Sequence, residues 1–249
     1  MDLIKHPDGY YYHPSAEIGL GVKIGNGVTI GKEVTIGRDT EIDDEVKIGE
    51  RVTIGENVII GKKTTIDAYA RICFCVEIGN EVNVGNWANI DNRATIKNCT
   101  TIGNNVSIGA YTIIDTDVTI DAWTIISSFV EIDKKVTIGN HTKICENVAI
   151  GQNTKIGSNV TINGYAEIGE NAVINRSPIC VENRCYLNEY CQGKVRLGCE
   201  ILTFAEWYEQ WEELCEKHKS SPEWFKKGIL PMIRHIEEYQ KINPLDKEA

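Results

Sequence analysis

The chain of 249 residues is 42% hydrophobic and 25% charged, which supplies a buried core and excludes disorder as its main state. Its 26 Lys and Arg stand against 36 Asp and Glu, a formal charge of −10, so a sequence-independent grip on nucleic acid or on an anionic membrane is disfavoured. The opening MDLIKHPDGYYYHP lacks the apolar centre of a secretory signal, no apolar run approaches the roughly 18 residues of a membrane span, and nine cysteines are irregularly spaced; the reading is a cytoplasmic protein with reduced thiols.

Residues 1–15 form an N-terminal segment whose Tyr10 to Tyr12 are expected to cap the first repeat. From Ile18 to Ile174 an aliphatic residue then recurs every six positions, Ile throughout except Val84, for 27 hexads without a miss. Four residues after each but the last stands Val, Thr or Ala, as in Val22 and Thr64, and Gly or Asp commonly follows the aliphatic directly. Neither a helix of period 3.6 nor a plain strand of period 2 keeps one face buried with a strict period of six. A three-sided solenoid does, with three hexads making an 18-residue coil and Gly relieving the backbone at the turns. Nine coils at a strand spacing of about 4.8 Å predict a prism roughly 40 Å long.

After Arg176-Ser177-Pro178 the register slips by one residue, and a new series appears at Ile179, Cys185, Cys191 and Leu197. The solenoid is expected to continue less regularly to about Ile201, with these residues inward. The predicted organisation is therefore a cap over 1–15, an all-β solenoid over 16–201 (regular over 16–177, irregular over 178–201), and an α-helical cap over 202–249. In that cap Phe204, Trp207, Tyr208, Trp211 and Leu214 recur with helical period, and Thr203 with Glu206 reads as a capping box. Ser221-Pro222-Glu223 starts another helix, Gly228 and Pro231 are expected to interrupt it, and Met232, Ile233, Ile236 and Tyr239 resume the stripe.

The hexads from Ala16 to Ser177 resemble those of the hexapeptide-repeat superfamily. That resemblance implies a left-handed parallel β-helix of nine to ten coils, a homotrimer, and ligands in the clefts between subunits. The passage VRLGCEILTFAEWYEQWEEL resembles the ending of bacteriophage-encoded hexapeptide-repeat proteins, which implies action in a host cytoplasm.

Stacking residues 18 apart yields columns. One corner reads Glu33, Arg51, Tyr69, Trp87, Asn105, Trp123, His141, Asn159; the face leading out of it carries Arg71, Asn89, Ser107, Ile125 and Lys143. A second corner carries Arg93, Tyr111, Phe129, Asn147 and Tyr165, and the third is polar, with Lys63, Glu81, Cys99, Asp117 and Lys135. Exposed rings at a corner serve subunit packing, ring-on-ring stacking, or a planar ligand. In the last case Tyr69, Trp87 and Trp123 give stacking surfaces while Arg71, Lys143 and His141 meet an anion, with Asn89 a further ligand-binding residue, chemistry suited to a nucleotide. Asp67, Asp91, Asp115, Asp121 and Asp133, which take the place of the turn Gly, are expected to cap backbone.

Most characterised members that the chain resembles are acyltransferases, in which a solenoid His acts as general base towards a sugar hydroxyl or amine. Of the five histidines, His6, His13, His218 and His235 lie outside the coils, leaving His141. The chain departs from that pattern in two ways: His141 precedes Thr142 and Lys143 rather than an acidic residue and a Cys, and no insertion interrupts the hexads. The related carbonic anhydrase branch takes three His ligands for its metal, which one His does not supply. Phosphate-loop and nucleophile-elbow motifs are absent. On these grounds the favoured expectation is a non-catalytic homotrimer holding a small anionic, nucleotide-like ligand, without cofactor or metal, and in the phage context sequestering a host signalling nucleotide. The alternative is an acyltransferase using acetyl-coenzyme A with His141 as base. A second alternative is a structural or protein-docking solenoid.

Overall fold

The computed structural model describes residues 3–175, 177, 180–181, 187–191, 194–197 and 200–242. From Glu17–Ile18 to Val173–Ile174 the chain makes two-residue strands separated by four-residue corners, as the hexads predict. In each strand the first residue faces outward and the aliphatic second faces the core, so Thr65 and Arg71 point out while Ile66 and Ile72 are fully buried. Three parallel sheets result. Face A runs from Tyr11–Tyr12 to Val173–Ile174, face B from Glu17–Ile18 to Thr161–Ile162, and face C from Lys23–Ile24 to Glu167–Ile168. The register is 18 residues throughout, for example Arg71 beside Asn89 and Ile125 beside Lys143. The expected stacking columns are therefore real columns, and the left-handed β-helix of about nine turns is the fold.

Two features let the coils stack closely. The inward corner residue is small, and where it is Thr its hydroxyl donates to a backbone carbonyl of the next coil, as Thr124 does to Gly139 at 3.1 Å, so this polar atom is satisfied inside the core. The Gly after each aliphatic has a different reason from the expected relief of a turn: a Cβ at Gly37 would stand 2.4 Å from the Gly55 carbonyl carbon one coil above. The left-handed backbone falls two residues later, from Glu33 onward on non-glycine residues, with φ 60° at Trp87, 56° at Asn105 and 61° at Trp123.

At the N-terminal end Ile4–Lys5 pairs antiparallel with Tyr11–Tyr12, and Tyr10 and Tyr12 pack on the first coils, with His6 stacked on Tyr10 at 4.4 Å. At the other end the expected irregular coil over 178–201 is corrected: Cys180–Val181, Leu187–Cys191, Lys194–Leu197 and Glu200–Thr203 form a four-stranded antiparallel sheet. The inward packing expected of Ile179, Cys185 and Cys191 lies outside the described side chains. Helix α1 (Phe204–Lys217) begins at the predicted capping box, Thr203 accepting from the Glu206 N–H and the Glu206 carboxylate accepting from the Thr203 N–H at 2.8 Å. A short α2 (Pro222–Trp224) leads through a π-helical turn over Phe225–Ile229 into α3 (Leu230–Ile242). Gly228 and Pro231 therefore lie within one helical path rather than break it, Gly228 in the π-helical turn and Pro231 in the first turn of α3. Trp207, Phe225, Ile229, Ile233 and Ile236 make a second core, separate from that of the coils. Among the described residues no helix is long and apolar enough to cross a membrane.

Candidate functional site

The corner between faces A and B holds two ring stacks. In the lower one the Arg51 guanidinium donates to Glu33 at 2.7 Å and to the Tyr69 hydroxyl at 2.8 Å while lying over the Tyr69 ring, and Tyr69 in turn stacks on Trp87 with centroids 4.1 Å apart and planes 8° from parallel. Arg51, then Lys32, hold the Glu33 carboxyl below its ordinary range. In the upper stack Trp123 lies 7° from parallel with His141, centroids 6.1 Å apart. Asn105 occupies the single rung between the stacks. Trp87 and Trp123 are 57% and 56% exposed, and both sit at a left-handed φ that Asn or Gly adopts at least cost. Stacking on a neighbouring ring is what offsets that cost here.

The corner between faces B and C is also aromatic. Arg93 donates to the Tyr111 hydroxyl at 2.6 Å, and Tyr111 stacks on Phe129 with centroids 5.2 Å apart and planes 5° from parallel. Phe74 and Tyr165 stand exposed on the same edge, with Ile125 on face B and Ile59 and Ile113 on face C beside it. The corner between C and A is ionic, with pairs such as Lys62 with Asp44 at 3.2 Å and Lys97 with Asp115 at 3.2 Å. Face B is thus the face bordered by rings on both sides.

The expected ligand residues fall into three places. Tyr69 with Trp87, and Trp123 with His141, form the two stacks. Asn89 and Lys143 stand on face B beside them. Arg71 faces the other way: it lines a shallow groove of about 430 Å³ with Thr53, Glu56, Cys73, Phe74 and Asp91, against the second aromatic corner. There burial pushes the Cys73 thiol up, with Arg71 drawing it down and Asp91 pushing it further up. Arg71 is therefore not gathered with the indoles. Two features that the sequence reading does not single out are the Arg51–Glu33 anchor and the open rung at Asn105, although all three residues belong to one column.

His141 is exposed at the A/B corner, and among the described residues no hydrogen bond fixes its ring. Asp91 and Asp115 behave as backbone caps, accepting from the N–H of Asn92 and of Thr116 at 2.7 Å each. The Thr116 N–H, then Lys97, hold the Asp115 carboxyl below its ordinary range. Among the described residues no cluster of His, Cys, Asp or Glu has the make-up of a metal site.

The family described as "Bacterial transferase hexapeptide (six repeats)" matches residues 21–56, 33–66, 99–134 and 141–176. No curated protein matches the sequence. Among solved structures, the chain is similar to the UDP-N-acetylglucosamine O-acyltransferase of Moraxella catarrhalis, at 19% identity over 96% of this chain and 94% of that one, with a TM-score of 0.39. It is similar to the Arabidopsis UDP-N-acetylglucosamine acyltransferase at 14% identity over 99% of both chains, TM-score 0.43, and to that of Francisella novicida at 19% identity over 97% and 88%, TM-score 0.39. The hexad register, the three parallel faces and the family match over much of the coil stack together support the hexapeptide-repeat superfamily.

Proposed function

We propose that the protein is an acyltransferase of the hexapeptide type, taking its acyl group from a coenzyme A thioester and working as a homotrimer. The observation that carries this reading is the transferase-hexapeptide match along the coil stack. In it the neutral imidazole of His141 removes the proton from an acceptor hydroxyl or amine as that group attacks the thioester carbonyl. The C–S bond breaks, and the coenzyme leaves as its thiol once it takes up a proton. Trp123, stacked on His141, limits the ring's motion.

Support for the trimer comes from the uneven corners. The B/C edge collects Phe74, Tyr111, Phe129 and Tyr165 with flanking Ile113 and Ile125, whereas the outward residues of face A are chiefly polar, with Thr, Asn83, Lys47 and Lys155. Three prisms meeting along that edge leave three wedges, each walled by face B of one copy and face C of the next. Arg71 and Lys143 on face B then oppose the acidic series Glu77 and Glu131 of face C. The test is thiol release from acetyl-coenzyme A in the presence of amine and hydroxyl acceptors. Wild type is expected to release thiol, and His141→Ala to lose it by about a hundredfold or more; equal background rates in both overturn the reading.

A second reading is favoured by one specific observation, that among the described residues no hydrogen bond fixes the tautomer of the His141 ring and no insertion interrupts the coils from Glu17–Ile18 to Val173–Ile174. A general base is ordinarily held in one tautomer by a partner. In this reading the trimer retains a nucleotide-like anion without reaction, in the cytoplasm, and the phage-like ending suits sequestration of a host signalling nucleotide. Native mass spectrometry of the freshly purified protein separates the two: released coenzyme A supports the transferase, another bound nucleotide supports retention, and an empty trimer weighs against both.

A further inference from the structure

We propose that the open rung at Asn105 is a binding slot for one planar heteroaromatic ring of nucleobase type, sandwiched between Trp87 and Trp123. The two indoles are two coils apart, about 9.6 Å at the strand spacing. Each is backed on its outer side, Trp87 by Tyr69 and Trp123 by His141, with planes within 8° and 7° of parallel. Rings stacked from coil to coil lie across the prism axis, so the inner faces of both indoles look into the Asn105 rung. Among the described residues no ring meets them.

A ring placed in that rung would sit about 4.8 Å from each indole. That lies inside the 4.1 to 6.1 Å range that the protein's own ring ladders span. At the floor, the Asn105 amide offers a donor and an acceptor to the edge of a base, and Thr101 on face A and Ser107 on face B stand to either side. Lys143 on face B, for which no described carboxylate forms an ion pair, meets an anionic tail running up that face. The slot is pre-formed, because Arg51 ties Tyr69 to Glu33 beneath Trp87. It gives a rung and a geometry to the nucleotide-type ligand that both readings above invoke, and it rests on that ligand class but not on any chemistry at His141.

The probes are adenosine 5′-monophosphate, uridine 5′-monophosphate and coenzyme A, followed by tryptophan fluorescence and calorimetry on the full chain. Wild type is expected to bind at least one. Trp87→Ala and Trp123→Ala should each weaken that affinity roughly five- to hundredfold, the range for losing one aromatic face from a stacked base. Asn105→Trp fills the rung and should abolish binding while leaving the thermal unfolding midpoint unchanged or raised, since the rungs below and above already hold Trp at the same φ. Unchanged affinity in Asn105→Trp overturns the slot, as does an absence of binding by all three probes at millimolar concentration. Binding by wild type that releases no thiol from acetyl-coenzyme A supports the slot and sinks only the transferase.

Discussion

The indole N–H of Trp207 donates to the backbone carbonyl of Val195 at 3.0 Å, and both residues are buried, so this one bond fastens α1 to the antiparallel sheet. Trp207→Phe keeps most of the apolar surface and removes that bond. It is expected to destabilise the C-terminal unit by about 0.5–1.5 kcal/mol while leaving the coils intact. Calorimetry should show an early cap transition moving down and the coil transition unmoved.

Two glycines in equivalent hexad positions should respond oppositely to Ala. At Gly37 the new Cβ would stand 2.4 Å from backbone of the coil above, with no side chain that can yield; at Gly169 nothing among the described residues lies within 4 Å. Gly37→Ala is expected to cost about 1–3 kcal/mol or more, as overpacking does, and Gly169→Ala to be near neutral. Thermal midpoints of the two variants measured side by side check this.

The cap should also lose stability at high pH. Tyr208 donates to the Glu237 carboxylate at 2.8 Å, and burial, followed by that bond, pushes its pKa from 10.0 up to about 12. A folded-state pKa above the unfolded value means the native form holds the proton more tightly. The contribution is complete below pH 10.0 and is lost as pH rises to about 12. Glu237, held low by Lys241 and then by Tyr208, acts at the other end: its contribution is present above 4.5 and fades as pH falls below that. Tyr208→Phe should flatten the alkaline decline, followed by helix ellipticity against pH.

Phe129→Glu places a charge on the proposed trimer edge at an exposed position where no core contact is lost. The expected result is a monomer mass by light scattering with the β-spectrum unchanged. A trimer that persists moves the threefold axis to another edge.

The coil stack is legible in the sequence because its signal is redundant: 27 aliphatics in strict period fix face, register and length together. The ring ladders are legible for the same reason, since an 18-residue column is a physical neighbour list. Column position groups Arg71 with the indoles because it gives the rung alone, while the direction a long side chain takes, here towards Cys73 and Asp91, is a rotamer property. The antiparallel sheet escapes the hexad pattern because Ile179, Cys185, Cys191 and Leu197 keep a spacing of six by coincidence. The competing signal lies in the two residues Gln192-Gly193, a hairpin spacing between Leu187–Cys191 and Lys194–Leu197.

Since every coil meets only the coils directly before and after it, the ladder can be edited like a deck of cards. Excising residues 89–106 would join Ala88 to Ser107 in the same register and drop Trp123 directly onto Trp87. Tyr69, Trp87, Trp123 and His141 would become one continuous column, and the space between the indoles would vanish without any of those side chains being altered. The distance between the two tryptophans is thus inherited in whole coils, so a lineage can open, close or widen such a gap by gaining or losing 18 residues at a time.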